Sequence, residues 1–167
     1  MAGDEADWAE QLAAAYEQGL KLLVRREHSR RELARKLGDR DHPAAAVEAA
    51  LDRLEAENAL NDGRFAEEYA RARFAGGFGP VRVAAELREH GIDGDGLRWA
   101  RLGRDEEHEL AAAQLAKRFG SGAPRDFKER AKRMRYLQRR GFAPEVCARV
   151  VPEAGRDGGN PEDPAAL

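Results

Sequence analysis

Apolar residues recur along this chain at intervals of roughly three to five residues, with charged residues between them. Near the start they fall at Trp8, Leu12, Ala15, Leu20 and Leu23. Because an α-helix turns once every 3.6 residues, this spacing places the apolar side chains on one face. The pattern predicts a long amphipathic first helix. No stretch alternates with a two-residue period for long enough to indicate a strand.

Start and stop signals predict a second and a third helix. Ser29 and Glu32 fit a capping box, in which the Ser29 side chain accepts from the backbone N–H of Glu32 and the Glu32 side chain accepts from the backbone N–H of Ser29. The apolar positions of this second helix are Leu33 and Leu37, and Gly38 is expected to end it. A third helix is predicted after the turn at Pro43, with apolar positions at Val47, Leu51 and Leu54.

The same signals continue through the rest of the chain. Asn61 or Asp62 is expected to cap a fourth helix that contains Arg64 and has Phe65 on its buried side. Pro80 stands at the first turn of a fifth helix, which Gly91 terminates. Four further helices are predicted at about 97–102, 105–119, 124–140 and 144–151.

A period of fifty residues relates these helices. Leu37, Leu87 and Leu137 are fifty positions apart, and so are Val47, Leu97 and Cys147. Glycine followed by an apolar residue stands at Gly91-Ile92 and again at Gly141-Phe142, whereas the first copy has Asp41-His42 there. Self-similarity at a fixed period indicates stacked units, each too small to bury its own apolar face.

The predicted fold is therefore all-α, with three tandem three-helix repeats stacked into an elongated, curved, solenoid-like array. The expected boundaries are a flexible N-terminus at 1–7, repeats at 8–60, 61–103 and 104–151, and a disordered acidic tail at 152–167. The composition agrees, because 42% of residues are hydrophobic but only 7% are aromatic. A core of Ala, Leu and Val suits close helix packing better than sheets.

Several classes of protein do not fit this sequence. The single cysteine, Cys147, excludes an internal disulfide and is expected to be a small core residue. No secretory signal and no membrane-spanning run is apparent, so we expect a cytoplasmic protein that does not contact membranes. No phosphate-binding loop or metal-ligand spacing occurs, and Glu106, Glu107 and Glu109 are assigned to solvent faces. We predict no enzymatic activity, no cofactor and no metal.

The net charge of −2 conceals a basic segment. Residues 125–140 carry eight Arg or Lys against Asp126 and Glu129, a local charge of +6. At about 100° per residue, Phe127, Ala131 and Met134 form the predicted buried stripe of this helix. An adjacent stripe contains the cations Lys128, Lys132, Arg135 and Arg139, while Arg133 and Arg140 fall on the far side.

These cations have two interpretations. Charges on a helix surface often serve only solubility. However, no Glu precedes the stripe at i−4, and cations without such partners attract phosphates or an acidic protein surface. A second, weaker set flanks the Gly-rich turn before the fifth helix, and its members are Arg71, Arg73, Arg82 and Arg88.

Several segments together resemble the RecX family of regulatory proteins. The segment at 22–33, with Ser29, Glu32 and Leu33, resembles the opening motif of that family, and the segments at 51–54 and 60–66 resemble its most recognisable region. Gly79-Pro80 leading to 86–92 is similar to the second repeat, and 130–142 to the third. In order, they span roughly residues 20–151. Gly63 and the Asp41-His42 turn depart mildly from the pattern.

The resemblance implies a negative regulator that binds in the groove of the RecA–DNA filament. Such proteins limit filament extension, ATPase activity, strand exchange and co-protease activity, and so act in homologous recombination, DNA repair and the SOS response. The implied partner is the RecA filament, with single- or double-stranded DNA contacted through phosphates, and the chain is expected to be a monomer.

Two other functions stay open at this stage. The first is an autonomous DNA-binding regulator built from helix-turn-helix-like units, in which the second helix would present Arg30, Arg31, Arg35 and Lys36. That helix offers no Asn or Gln to read adenine. The second is a protein scaffold without nucleic-acid contact, whose binding would barely respond to salt.

Overall fold

The structure is a computed structural model that describes residues 2–155, with side chains described from residue 4. All regular elements in this range are helical, and no strand occurs in it. The first three helices are α1 (Ala2–Leu23), α2 (Arg30–Gly38) and α3 (Ala44–Ala56). Next come α4 (Asp62–Ala75), α5 (Pro80–Glu89) and a 3₁₀ helix (Gly94–Ala100). The last three are α6 (Arg104–Phe119), α7 (Phe127–Arg140) and α8 (Pro144–Val150).

The described helices confirm the predicted fold class of three three-helix units. Three helices begin earlier or later than the sequence predicts. Helix α1 already begins at Ala2, the short helix predicted at about 97–102 spans Gly94–Ala100, and α7 begins at Phe127 instead of Pro124. Asp126 explains the later start, since its side chain accepts from the backbone N–H of Glu129 at 2.7 Å and caps the helix there.

The chain divides into two compact units. Unit 1 comprises Met1–Ala72 and Ala84–Arg101, and unit 2 comprises Arg73–Val83 and Leu102–Leu167. In unit 1, α1, α2 and α3 enclose a core made of Leu33, Leu37, Val47, Leu51, Leu54 and Leu60. In unit 2, the last three helices enclose a core made of Ala111, Leu115, Leu137, Phe142, Cys147 and Val151.

The fifty-residue register corresponds to equivalent core positions. Leu37, Leu87 and Leu137 are all completely buried. At the third-helix position, Val47 and Cys147 are buried, whereas Leu97 is only half-buried. The helix at this place in the second copy is a single 3₁₀ segment, which begins directly after Asp93 and contains two glycines. A short 3₁₀ segment presents less of its surface to a core than an α-helix does.

The helix ends of the second and third copies are also equivalent. Gly91 and Gly141 have φ angles of 82° and 95°, the left-handed region that glycine adopts without steric cost. The following residues return hydrogen bonds to the repeat leucines, from Ile92 to Leu87 at 2.9 Å and from Phe142 to Leu137 at 3.1 Å.

The first copy ends its second helix differently. Helix α2 includes Gly38 as its last residue, and the left-handed residue is Asp41, with a φ of 61°. The prediction that Gly38 stops the helix is therefore correct in place, but the reversal of the chain occurs three residues later.

The capping box predicted at the start of α2 is half formed. Ser29 accepts from the backbone N–H of Glu32 at 3.1 Å, while the Glu32 carboxylate binds Arg26 and Lys36 instead.

Candidate protein and nucleic-acid interface

The predicted basic stripe on α7 is exposed along its length. Its four members are Lys128, Lys132, Arg135 and Arg139. They lie at successive spacings of four, three and four residues, so they follow one face of the helix. In the part of the chain that the structure describes, no carboxylate lies within ion-pair distance of any of the four. Their positive charge is available to an external anion.

Arg133 occupies the opposite, buried side of α7, which corrects its assignment to an exposed binding face. It is only 5% exposed. Its guanidinium donates to the carbonyl of Gly122 at 2.6 Å and to the carboxylate of Glu129 at 2.7 Å. These bonds hold the Arg133 guanidinium inside unit 2. The signal was present in the sequence, since Arg133 precedes the core residue Leu137 by one helical turn.

Glu129 organises the first turn of α7. Its carboxylate accepts from the backbone N–H of Arg125 at 2.9 Å and from the Arg133 and Arg125 side chains. These hydrogen bonds lower the pKa of Glu129 to about 2, and the bond from the Arg125 backbone has the largest effect. The carboxylate therefore stays ionised, but its charge is engaged by two arginines of its own chain.

A groove of about 390 Å³ runs beside this turn. Its lining is Phe119, Arg125, Asp126, Lys128, Glu129, Lys132 and Arg135. Four of these side chains are cationic and one is aromatic. Both carboxylates in the lining accept hydrogen bonds from neighbouring residues of the chain. The groove consequently combines excess positive charge with an aromatic surface.

Phe127 lies between two residues of that groove, and its prediction as a core residue is wrong. The side chain is 79% exposed, whereas Ala131 and Met134 on the same stripe are half-buried. The reason is the position of the helix start. Phe127 is the first residue of α7, one turn before the stretch that the core of unit 2 covers.

Arg140, also predicted on an exposed face, is held within unit 2. Its guanidinium donates to the carbonyls of Gly76 and Gly77, at 2.6 and 3.2 Å, and lies 4.2 Å from the centre of the Phe78 ring. The backbone N–H of Gly79 returns a hydrogen bond of 2.8 Å to the Arg140 carbonyl. Arg140 therefore fastens the loop between α4 and α5 to the end of α7.

The members of the weaker basic set are divided between the two units. In unit 2, Arg73 and Arg82 stack on the Phe78 ring at 3.9 and 4.4 Å, as Arg140 does. Arg71 and Arg88 belong to unit 1 and are exposed there. The four residues thus divide into two that pack on an aromatic ring and two that face solvent.

The basic residues of α2 are largely engaged with the protein itself. The Arg30 guanidinium binds three carboxylates of α3, those of Glu48, Asp52 and Glu55, at 2.6 to 2.8 Å. Burial opposes the charge, but these hydrogen bonds outweigh it and raise the pKa of Arg30. Arg31 donates to the carbonyl of Glu89 at 3.2 Å. A recognition helix needs such side chains free to reach base edges, so this geometry disfavours the helix-turn-helix reading.

The remaining chemistry predictions have mixed outcomes. Cys147 is completely buried, as expected for a core residue, and burial raises its pKa to about 11. Glu106 and Glu109 are exposed, but Glu107 is half-buried, and burial raises its pKa, so its assignment to a solvent face is wrong. Among the described residues, no three His, Cys, Asp or Glu side chains are grouped so that they could hold a metal ion.

Two further predictions concern membrane-spanning helices and the C-terminal tail. Within residues 2–155, no helix has both the length and the apolar character that a membrane span requires. Most of the predicted acidic tail, from residue 156, lies outside the described residues. Its first part, residues 152–155, is described and contacts α7, since Arg130 donates to the carbonyl of Pro152 and pairs with Glu153.

The fold and this surface define a class of all-helical repeat proteins that present cations on one helix. Comparison with known proteins identifies the family. The family models for the first, second and third three-helix domains of RecX match residues 15–54, 61–95 and 105–151, in that order. The chain therefore belongs to the RecX family of regulatory proteins.

Individual relatives agree with this assignment. The chain is 42% identical to the regulatory protein RecX of Halorhodospira halophila, over 86% of this chain and 90% of that protein. It is 36% identical to the RecX of Pseudomonas fluorescens, over 87% and 95%. A crystal structure of a regulatory protein RecX superposes with a TM-score of 0.74 at 25% identity, covering 86% of this chain and 73% of that one.

Proposed function

We propose that this protein is a negative regulator of the RecA recombinase that binds in the groove of the RecA–DNA filament. In this role it limits filament extension, ATPase activity, strand exchange and co-protease activity during DNA repair and the SOS response. It acts in the cytoplasm as a monomer and catalyses no reaction. Membership of a family of regulatory proteins named for RecX supports the regulatory role.

The exposed basic stripe of α7 is the observation that carries the proposed contact. Lys132, Arg135 and Arg139 are exposed and follow one face of a helix whose other face is anchored in a core. A filament of protein and DNA offers phosphates and acidic side chains, and both attract such a face. Arg133 and Arg140 are not included, because their guanidinium groups bind carbonyl groups of this chain.

The test replaces Lys132, Arg135 and Arg139 together by Ala and measures inhibition of the DNA-dependent ATPase of RecA across a titration. The matched control replaces three exposed cations outside α7, Arg25, Arg101 and Lys117, by Ala. Both triple variants lose the same charge. If the α7 face makes the contact, the first variant inhibits at least about tenfold less effectively, and the control inhibits like the parent. Both are expected to retain their helical circular dichroism.

Two results would contradict the proposal at different levels. Equal inhibition by the two triple variants would remove the α7 stripe from the function. No inhibition by the parent, even at a ratio above one protein per RecA subunit, would remove RecA regulation itself. Inhibition at substoichiometric ratios is expected, because blocking one site of a growing filament prevents the addition of many subunits.

The alternative of an autonomous DNA-binding regulator makes a separate prediction. It requires strong sequence preference for duplex DNA in the absence of RecA, measured by gel-shift competition between specific duplexes. The ion pairs of Arg30 with α3 leave α2 poorly suited to that role. We therefore expect no competition difference between duplex sequences of equal length.

A further inference from the structure

The buried arginine of α7 lies directly behind the groove beside that helix, although it is not part of the lining. The Arg133 guanidinium binds the Glu129 carboxylate at 2.7 Å and the carbonyl of Gly122 at 2.6 Å. It also lies 5.3 Å from the centre of the Phe119 ring. Glu129 and Phe119 both line the groove. One buried side chain therefore contacts the groove wall from the inside at two of its lining residues.

Core packing alone does not explain a charge at position 133. Replacing a buried ion pair by apolar residues is often neutral or stabilising, because the desolvation of two charges is then avoided. The neighbouring core of unit 2 is apolar, with Leu137 one turn further along the helix. Among the described residues, Glu129 is the only carboxylate within ion-pair distance of Arg133. The charge of Arg133 is thus directed at a residue of the groove.

Two carboxylates oppose the positive charge that lines the groove. The lining has four cations and two carboxylates, Asp126 and Glu129, so its net charge is +2. Arg133, directly behind Glu129, raises the net charge of the site to +3. Glu129 is ionised at neutral pH, since hydrogen bonds lower its pKa to about 2. Only a neighbouring cation can therefore compensate this carboxylate.

Arg133 is better placed than Arg125 to compensate Glu129. The Arg125 side chain is 89% exposed and lies 3.2 Å from the Glu129 carboxylate, so water and salt screen that pair. The Arg133 side chain is 6% exposed, and a buried pair is screened much less. Compensation by Arg133 leaves the exposed charge of Arg125 to the groove.

We propose that Arg133 is a positioning residue of the α7 face that acts through Glu129: its buried charge compensates this carboxylate, so that the exposed cations of the groove attract an anionic partner. The inference rests on the proposed function and deepens it, because it concerns the same face. It assigns Arg133 to the charge of the groove and not to contact with the partner. The competing role for Arg133 is purely structural, as the anchor of the loop before α7 at Gly122.

The test measures binding of inorganic tripolyphosphate to the full chain by calorimetry at low salt, without RecA. Arg133→Met lowers the net charge of the site by one and is expected to weaken binding on the order of tenfold. Adding Glu129→Gln to Arg133→Met restores the net charge, and binding is expected to return to the parent value. The double variant restores neither the bond to Gly122 nor those from Arg125, so a purely structural role predicts no recovery.

A second comparison holds even where Arg133→Met alone does not fold. Glu129→Gln alone raises the net charge by one and is expected to tighten binding on the order of tenfold, although it removes hydrogen bonds. Its difference in affinity from the double variant measures the charge of Arg133 directly. Arg64→Met is the matched control, because it breaks an ion pair of 2.7 Å with Glu27 in unit 1. Its binding is expected to equal that of the parent.

Three results would overturn the inference: no tripolyphosphate binding by the parent at low salt, equal affinities for Glu129→Gln and the double variant, or equal affinities for Arg133→Met and Arg64→Met. RecA ATPase inhibition by the same preparations separates the two proposals. Inhibition by the parent without the expected order of tripolyphosphate affinities sinks only this inference. The expected order of affinities without inhibition by the parent sinks only RecA regulation.

Discussion

The backbone N–H of Arg30 donates a hydrogen bond of 2.7 Å to the carboxylate of Asp62, which lies 32 positions further along the chain. Arg30 is the first residue of α2, where backbone N–H groups have no partner within the helix. Asp62 is the first residue of α4. The Asp62 carboxylate at the start of α4 therefore satisfies a backbone N–H at the start of α2. Asn61 caps α4 itself, since its side-chain oxygen accepts from the backbone N–H of Arg64 at 3.0 Å.

Removal of this carboxylate should destabilise unit 1. We expect Asp62→Ala to lower the free energy of unfolding by about 1 kcal/mol, the usual cost of losing a helix cap. Asp62→Asn keeps an acceptor oxygen and should recover most of the loss. Urea unfolding followed by circular dichroism measures both, with Asp95→Ala, an exposed aspartate of the 3₁₀ helix, as the control. Equal losses of unfolding free energy for Asp62→Ala and Asp95→Ala would show that the hydrogen bond from Arg30 to Asp62 does not stabilise the fold.

Stability should decline in acid because two glutamates are held ionised. Burial raises the pKa of Glu32, but hydrogen bonds from Arg26 and Lys36 outweigh it and lower that pKa to about 2, the same value as for Glu129. A carboxyl whose folded-state pKa is depressed stabilises the fold above its unfolded pKa, near 4.3, and loses this contribution as the pH falls through its folded pKa.

The melting temperature, measured by thermal unfolding between pH 7 and pH 2, should therefore begin to fall below about pH 5. Glu32→Gln and Glu129→Gln are each expected to lower the melting temperature at pH 7 and to flatten the decline in acid. Glu109→Gln changes an exposed glutamate and is the control. A decline of the same size in the parent and in both variants would exclude these carboxyls as its cause.

Gly141 should not tolerate a side chain. Its φ is 95°, and a Cβ at this position would overlap the Cβ and backbone nitrogen of Arg82, neither of which is the end of a flexible chain. We expect Gly141→Ala to cost about 1–3 kcal/mol of unfolding free energy. Gly122→Ala is the matched control, because a Cβ there has no neighbour within 4 Å and no positive φ. Comparable midpoints in urea for the two variants would refute this reading of the turn.

The Cys147 thiol should be protected in the folded protein. Burial raises its pKa to about 11, so little thiolate is present at pH 8, and the side chain is inaccessible to reagents. Alkylation by iodoacetamide at pH 8 should be slower than in the urea-unfolded chain by at least about a hundredfold. Native labelling as fast as that of the unfolded chain would mean that the core around α8 opens readily.

The residue pattern alone predicts much of this fold, because local rules determine it. Helical periodicity, the glycine at the ends of α5 and α7, and the proline at the start of α5 follow from the conformations that single residues and short segments prefer. The fifty-residue register of Leu37, Leu87 and Leu137 is likewise visible without coordinates, since all three copies need a leucine at the same core position. The exposed stripe on α7 follows from spacing along a helix.

Other features depend on segments that are distant in sequence. The spacing of Arg133 from Leu137 indicates the buried side of α7, but the carbonyls that bind Arg133 and Arg140 come from Gly122 and from the loop at Gly76-Gly77, outside this helix. Phe127 has the periodicity of a core residue, but the Asp126 cap starts α7 at this residue, one turn before the stretch that the core covers. Periodicity determines which side of a helix is apolar. Only the tertiary structure determines how far along the helix that side is covered, because the covering residues come from other helices.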